Sequence, residues 1–124
     1  MCGIAGWITK DVSVAGAEIE ELGAKMAAIL RHRGPDDEGV WAKDPGVVFA
    51  HRRLAIIDQS SRGRQPMADP TGRYVLVYNG ELYNFRELRQ ELEQDKGVKL
   101  TSETDTEVVL NSLILWGWGA LSKF

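Results

Sequence analysis

The sequence begins Met1-Cys2-Gly3-Ile4-Ala5-Gly6-Trp7-Ile8-Thr9, a stretch that joins a strand pattern to the only cysteine of the chain. The apolar, partly β-branched run from Gly3 to Thr9 predicts a short strand, so Cys2 should lie at a strand end. If Met1 is cleaved, Cys2 carries a thiol and a free α-amino group, whose pKa of about 7.7–8.0 suits a general base. A lone cysteine is more often a small buried apolar residue. The rest of the chain must decide between these two interpretations.

Composition narrows the class of protein. The 124 residues, 44% apolar and 27% charged, predict one globular domain spanning residues 1–124. The net charge of −3 gives no electrostatic reason to expect nucleic acid or an anionic membrane as partner. Neither a secretory signal nor an apolar run of about 18 residues is present, so we expect a cytoplasmic protein. One cysteine and two separated histidines, His32 and His51, lack zinc-ligand spacing, so we expect no metal.

Hydrophobic periodicity and turn residues divide the chain into alternating elements. Asn84 with Glu87, and Thr104 with Glu107, have the spacing of helix-capping pairs. Gly97 should end the first of these two helices. The predicted elements after the first strand are a helix over 17–31, strands at Gly39–Ala42 and Val47–Ile57 around a turn at 44–46, a loop over 58–70, a turn at 69–72, a strand at Tyr74–Tyr78, a helix after Asn84, a short strand at Val98–Thr101 and an apolar helix from Thr104 through Trp116.

Four polar segments besides Cys2 could carry chemistry, and each has an ordinary structural explanation. They are residues 31–37 (Arg-His-Arg-Gly-Pro-Asp-Asp), 51–58 (His-Arg-Arg-Leu-Ala-Ile-Ile-Asp), 78–84 (Tyr-Asn-Gly-Glu-Leu-Tyr-Asn) and 102–107 (Ser-Glu-Thr-Asp-Thr-Glu). Asn79-Gly80 is a strong hairpin turn, although a capped helix follows it here. Arg53 could pair with a surface carboxylate, and Asp105 could offset a helix dipole. Basic residues 31–33 would complement the opposite end of a helix dipole.

Together with Cys2, these segments resemble one family in order and spacing along the whole chain. The sequence is similar to the glutaminase domain of class II, N-terminal-nucleophile glutamine amidotransferases. Within that class, Arg33-Gly34-Pro35-Asp36 and residues 53–58 (Arg-Leu-Ala-Ile-Ile-Asp) resemble glutamine-hydrolysing asparagine synthetases. Hexosamine-phosphate synthases have Tyr-Arg-Gly-Tyr-Asp and Arg-Trp-Ala-Thr at the corresponding places.

The resemblance implies a role for each matching residue. Cys2 corresponds to the nucleophile, while the Asn79 side-chain amide and the Gly80 backbone N–H correspond to an oxyanion hole. Arg53 corresponds to the group that binds the α-carboxylate of glutamine, and a planar guanidinium suits that task. Glu81 and Asp105 correspond to groups near the α-ammonium. The backbone implied to line the pocket belongs to Leu54, Ala55, Ile56 and Ile57.

The resemblance also implies the architecture and partners. We expect an α+β fold, an N-terminal-nucleophile hydrolase α/β/β/α four-layer sandwich, truncated at its C-terminus. The order of helices and strands is compatible with it. ATP and Mg²⁺ are expected only on a synthetase domain missing here, since this chain has no Gly-rich phosphate loop of Walker type. Glutamine and that domain are the expected partners, and homo-oligomerisation is left open.

Two other functions remain open at this stage. The chain could supply ammonia to another acceptor, such as a surface-polysaccharide sugar, because the glutaminase half does not record the acceptor. It could also be a non-catalytic truncated module that associates through its apolar C-terminal helix.

Overall fold

The computed structural model describes residues 2–10, 16–43, 46–55 and 60–124. Helices and strands are mixed, and both sheets are antiparallel among the described residues, which is consistent with the expected α+β class. The chain divides into two compact units. The first takes in residues 1–56, 64–66 and 77–79, and the second takes in residues 57–63, 67–76 and 80–124.

The first unit is built on a three-stranded sheet in the order β1-β3-β2. Its strands are β1 (Gly3–Ile8), β2 (Asp37–Lys43) and β3 (Val47–Arg53). Helix α1 (Gly16–Ile29) packs on the sheet, and a tight turn at Leu30–His32 ends it. A Cβ at Gly23 would collide with the Val40 and Val48 side chains, so a glycine allows the helix to approach the sheet closely.

The second unit combines a small hairpin with two helices. Strands β4 (Met67–Ala68) and β5 (Val75–Leu76) form the hairpin, whose turn is held by the Asp69 carboxylate. Helix α2 (Phe85–Gln90) continues into a wider turn at Glu91–Asp95, and α3 (Asp105–Trp116) is followed by a tight helical turn at Gly117–Ser122. Buried apolar residues of the two helices and of the turn after α2 form the core of this unit; they include Leu88, Leu92, Val108, Val109 and Leu110.

The predicted strand at Val98–Thr101 is wrong, and the reason is local hydrogen bonding. The Val98 N–H donates to the Leu92 carbonyl at 2.9 Å, which closes the preceding helical turn. The Thr101 N–H donates to the Glu107 carboxylate at 2.9 Å rather than to a neighbouring strand. A side chain has therefore taken the donor that a sheet would have used.

Other predicted elements hold with changed bounds. The strand expected at Tyr74–Tyr78 is confined to Val75–Leu76, because the Tyr78 N–H donates to the Gln65 side chain at 2.6 Å. Thr104 caps α3 as predicted, accepting the Glu107 N–H at 3.4 Å. Asn84 occupies the N-cap of α2 but makes no side-chain cap; its amide nitrogen donates to the Lys123 carbonyl at 2.7 Å.

Candidate functional site

Cys2 lies directly before β1, as the strand pattern predicts, and is half-buried. The Leu54 N–H donates to Cys2 Sγ at 3.4 Å, and the thiol lies 3.8 Å from the Leu54 carbonyl oxygen. The sulfur therefore contacts the backbone that immediately follows β3. The Leu54 backbone, which the family resemblance implies to line the glutamine pocket, thus lies against the sulfur.

Strand pairing explains why these residues meet. In the antiparallel β1–β3 ladder Gly3 is opposite Arg52, so the chain direction carries Cys2 towards Arg53 and Leu54. In the β2–β3 ladder Asp37 is opposite Arg53. The beginnings of β1 and β2 thus lie at the same end of the sheet as the end of β3. We call Cys2, Asp36, Arg53, Leu54 and Ala55 the sheet-end site.

Asp36 fixes the backbone of the sheet-end site from the β2 side. Its N–H donates to the Arg53 carbonyl at 3.0 Å, and its carboxylate accepts the Ala55 N–H at 2.8 Å. These two bonds flank Leu54, the residue that contacts the sulfur. Asp36 belongs to a segment singled out by motif, but its contacts depend on strand register and were not predictable from local spacing.

A buried arginine holds the turn in front of Asp36. Arg52 Nε donates to the Gly34 carbonyl at 3.0 Å, and its guanidinium pairs with Glu38. A Cβ at Gly34 would lie 2.5 Å from the Arg52 carbonyl carbon, so only glycine lets this turn lie so close to β3. Gly34 of the Arg-Gly-Pro-Asp motif therefore has a direct packing explanation.

In the first unit, Arg53 and Arg64 both influence the pKa of Asp37. Arg53 is 7% exposed and lies opposite Asp37 in the strand register. The pKa of Asp37 lies below its ordinary value, chiefly because Arg64 donates hydrogen bonds to its carboxylate at 2.8 and 3.1 Å; the positive charge of Arg53 adds a smaller effect. Arg53 is thus a buried cation beside an anion, unlike the exposed arginine of the ordinary interpretation.

The candidates Asn79, Gly80 and Glu81 lie in the segment 78–84, and Asp105 lies in the segment 102–107. Asn79 belongs to the first unit, whereas Gly80 and Glu81 belong to the second, and all three are exposed. Asp105, the first residue of α3, is 8% exposed and accepts the Leu82 N–H at 3.0 Å. Asp105 therefore anchors the loop that carries Glu81. Ile56 and Ile57 lie outside the described residues.

Glu107 is a buried carboxylate that the sequence identified only as a capping residue. It accepts hydrogen bonds from the backbone N–H and the hydroxyl of both Thr101 and Ser102, at 2.6–3.0 Å. Burial raises the pKa of Glu107, but these hydrogen bonds outweigh burial and hold the pKa below its ordinary value of 4.5. Glu107 thus ties the loop before Asp105 to the helix that begins there.

Among the described residues, no group of three or more His, Cys, Asp or Glu side chains could hold a metal ion. In the same part of the chain, no helix has the length and apolar character needed to span a membrane.

Comparison with known proteins agrees with these motifs. The chain matches the family model "Glutamine amidotransferase domain" over residues 1–124. It is 42% identical to asparagine synthetase [glutamine-hydrolyzing] 3 of Bacillus subtilis, over 94% of this chain and 18% of that protein. It is 34% identical to asparagine synthetase B [glutamine-hydrolyzing] of Escherichia coli, over 89% of this chain and 19% of that protein.

A relative with a different name is the amidase chry2 of Gibberella zeae, which is 36% identical over 89% of this chain and 17% of that protein. The chain thus spans less than a fifth of the length of these relatives. The family match, by contrast, covers every residue that carries the motifs. On that match, this chain belongs to the family of glutamine amidotransferase domains.

Proposed function

We propose that this chain hydrolyses glutamine to glutamate and ammonia, with Cys2 as the nucleophile. The observation that carries the proposal is the position of Cys2 Sγ, 3.4 Å from the Leu54 nitrogen at the sheet end where β3 finishes with Arg53. A reactive thiol and a buried cation then belong to the same short piece of sheet. Glutamine requires both groups, one for its amide carbon and one for its α-carboxylate.

Loss of Met1 activates the nucleophile in this proposal. In the printed sequence the Cys2 nitrogen is bound to Met1 in a peptide bond, so it is not basic. Cleavage exposes an α-amino group that accepts the thiol proton. The thiolate attacks the amide carbon of glutamine and forms a tetrahedral intermediate. The C–N bond then breaks, the ammonium proton passes to the leaving nitrogen, ammonia departs, and water hydrolyses the remaining thioester to glutamate.

Asn79 and Gly80 stabilise the oxygen that becomes negative in this step. The Asn79 amide and the Gly80 N–H each donate one hydrogen bond to it. Removing one donor of an oxyanion hole typically lowers kcat by about 10²–10³-fold. Both residues are exposed, which leaves them accessible to a substrate.

Recognition of glutamine uses its opposite charges. Arg53 binds the α-carboxylate through its planar guanidinium. Glu81 and Asp105 lie near the α-ammonium, and Asp105 also holds the loop of Glu81 through Leu82. The backbone of residues 54–57 lines the pocket. We place these groups on an N-terminal-nucleophile four-layer sandwich of the α/β/β/α type.

The ammonia serves asparagine synthesis from aspartate on a separate synthetase domain of a cytoplasmic enzyme in this proposal, and that domain binds ATP and Mg²⁺. The support is that the relatives named asparagine synthetases are much longer than this chain. A different acceptor is the second candidate, and the relative named amidase chry2 is the observation that favours it.

A Cys2→Ala variant of the intact protein tests the nucleophile. We expect glutamine hydrolysis and glutamine-dependent synthesis to be abolished, because Cys2 is the only cysteine of this sequence and alanine offers no nucleophile. Synthesis from added ammonia should persist, and it serves as the internal control for folding of the acceptor domain. Mass spectrometry of the active wild-type protein should show an N-terminal Cys2. An intact Met1 in fully active protein, or equal loss of both activities in Cys2→Ala, would contradict the mechanism.

A further inference from the structure

Two buried side chains of the first unit contact the backbone of Tyr78, the residue before Asn79. Gln65 is 6% exposed, and its Oε1 accepts the Tyr78 N–H at 2.6 Å. His51 is 1% exposed, and its imidazole makes a hydrogen bond to the Tyr78 backbone. Because Gln65 already occupies the Tyr78 N–H, the imidazole N–H donates to the Tyr78 carbonyl.

We propose that His51 and Gln65 form a clamp on the Tyr78 backbone and that this clamp positions Asn79 for oxyanion stabilisation. The inference rests on the oxyanion role proposed for Asn79. Neither residue touches the substrate in this proposal. They are positioning residues that act through the main chain.

The planarity of the peptide bond makes such a clamp effective. The Tyr78 carbonyl lies in the same rigid plane as the nitrogen and Cα of Asn79. A hydrogen bond from His51 to that carbonyl therefore restrains the point from which the Asn79 side chain projects. The bond from Gln65 restrains the preceding peptide plane, so both planes that meet at Tyr78 are held.

Rigid elements support both halves of the clamp. His51 lies in the central strand β3, where it pairs with Ile4 of β1 and Gly39 of β2. A Cβ at Gly39 would collide with the Gln65 carbonyl oxygen, so the absence of a side chain lets the Gln65 backbone lie against β2. Gly39 therefore pairs with His51 in the ladder and also leaves room for the Gln65 backbone.

The neutral form of the His51 imidazole carries one N–H, which is the number that the bond to Tyr78 needs. Its Nε2 has no hydrogen-bond partner among the described residues, which leaves Nδ1 as the donating nitrogen. Burial is the main cause that lowers the pKa of His51, and the charge of Arg53 acts in the same direction. The hydrogen bond to Tyr78 and the charge of Asp37 oppose that shift without reversing it. The neutral imidazole with a proton on Nδ1 satisfies Tyr78 without burying an unpaired N–H.

The test uses the intact protein and separates chemistry from folding. His51→Phe keeps a ring but removes the donor, and Gln65→Met keeps the chain length but removes the acceptor. We expect each change to lower kcat for glutamine hydrolysis by about 10–100-fold, because a displaced catalytic group costs up to about 10²-fold. KM should change by less than about threefold, since the oxyanion forms only in the transition state.

Two further measurements distinguish positioning from general damage. Alkylation of Cys2 by iodoacetamide needs no oxyanion hole, so its rate should stay within about twofold of wild type. His51→Asn should recover most of the lost kcat, because the asparagine amide nitrogen takes about the place of Nδ1. His32→Phe is the matched control: His32 is exposed, and its Nδ1 also bonds a backbone carbonyl, that of Ile29 at 3.1 Å. Its kcat should remain unchanged.

A double-variant comparison completes the test. If the clamp acts through Asn79, His51→Phe should lower kcat by less than about threefold in an Asn79→Ala background. Three results would overturn the clamp. They are an undiminished effect of His51→Phe on kcat in that background, a parallel loss of the alkylation rate, or wild-type kcat in both clamp variants while the kcat of Asn79→Ala is low. Wild-type kcat in Asn79→Ala itself would instead overturn the oxyanion role on which the clamp depends.

Discussion

Replacing Glu107 by glutamine should destabilise the second unit far more than its small change in shape suggests. Glutamate and glutamine are nearly isosteric, but only the carboxylate offers two acceptor oxygens. Glu107 is 9% exposed and uses both oxygens to accept bonds from Thr101 and Ser102. A glutamine side chain at position 107 would keep one acceptor oxygen, but its amide nitrogen is a donor and would face groups that also donate.

Four donors bond the Glu107 carboxylate, and their fate in the variant sets the loss of folding free energy; they are the backbone N–H and the hydroxyl of Thr101 and of Ser102. The hydroxyls of Thr101 and Ser102 can rotate and accept from an amide, but the two backbone N–H groups cannot. Loss of charge weakens both backbone bonds by about 1 kcal/mol each, and one mismatched buried donor adds about 1–2 kcal/mol. We therefore expect Glu107→Gln to lower the free energy of unfolding by about 3–4 kcal/mol. For a domain of this size, that corresponds to a decrease in Tm of about 12–16 °C.

Thermal and urea unfolding measure this effect, and its pH dependence identifies the carboxylate. The folded-state pKa of Glu107 lies below the ordinary value of 4.5. The carboxylate therefore stabilises the fold fully above the unfolded pKa and loses that contribution as pH falls through the folded pKa. The difference between wild type and Glu107→Gln should be complete at pH 7 and should shrink below about pH 4.5. Hydrogen exchange at the Thr101 and Ser102 amides should be faster in the variant.

Glu87→Gln provides the matched control, because Glu87 occupies the third position of α2 as Glu107 does in α3, but is exposed. Its free energy of unfolding should change by no more than about 0.5 kcal/mol. Equal effects of the two substitutions would refute the reasoning, as would a difference between wild type and Glu107→Gln that stays constant down to acid pH.

Two further predictions concern the sheet-end site. Arg53→Lys should raise KM for glutamine by about tenfold or more with a smaller change in kcat, since lysine keeps the charge but loses the planar fork; an unchanged KM in steady-state assays would remove Arg53 from the pocket. Asp36→Ala should lower the free energy of unfolding by about 1 kcal/mol and reduce kcat/KM, because Ala55 loses its acceptor. Asp36→Asn, which keeps an acceptor oxygen, should stay close to wild type in both measurements, and equal behaviour of the two variants would count against the bond to Ala55.

Much of the fold was predictable because its signals are local. The strand after Cys2, the helix α1 and the capped helix α3 follow from periodicity and from Thr104, and all three are present. The family of the chain also followed from motifs in their order, and the family match confirms it. The site residues proposed from those motifs stay predictions, although the contact of Cys2 with Leu54 agrees with them.

The remainder depends on contacts between residues far apart in sequence. A strand pattern at Val98–Thr101 could not reveal that Glu107 takes the Thr101 N–H. Asn84 has the residue type and position of a cap, yet Lys123 receives its side chain. The bonds from Asp36 to Arg53 and Ala55 require the β2–β3 register, which local sequence does not encode. In each case a side chain competes with a regular backbone pattern, and tertiary contacts decide the result.

The pairing of strand β3 with both of its neighbours determines which residues lie together in the sheet-end site. Its register brings Gly3 opposite Arg52 and Asp37 opposite Arg53. A slip of one residue in the β1–β3 ladder would turn the side chains of β1 to the other face and separate Cys2 from the Leu54 backbone. The same slip in the β2–β3 ladder would separate Asp36 from Ala55. A side chain is excluded at Gly34, where a Cβ would lie 2.5 Å from the Arg52 backbone of β3. A Cβ at Gly3 would lie 3.1 Å from the Arg33 Cβ, so one of the two would have to shift. Larger residues at these two glycines should therefore impair glutamine hydrolysis by shifting the start of β1 or β2, even though neither glycine contacts the substrate in the proposed mechanism.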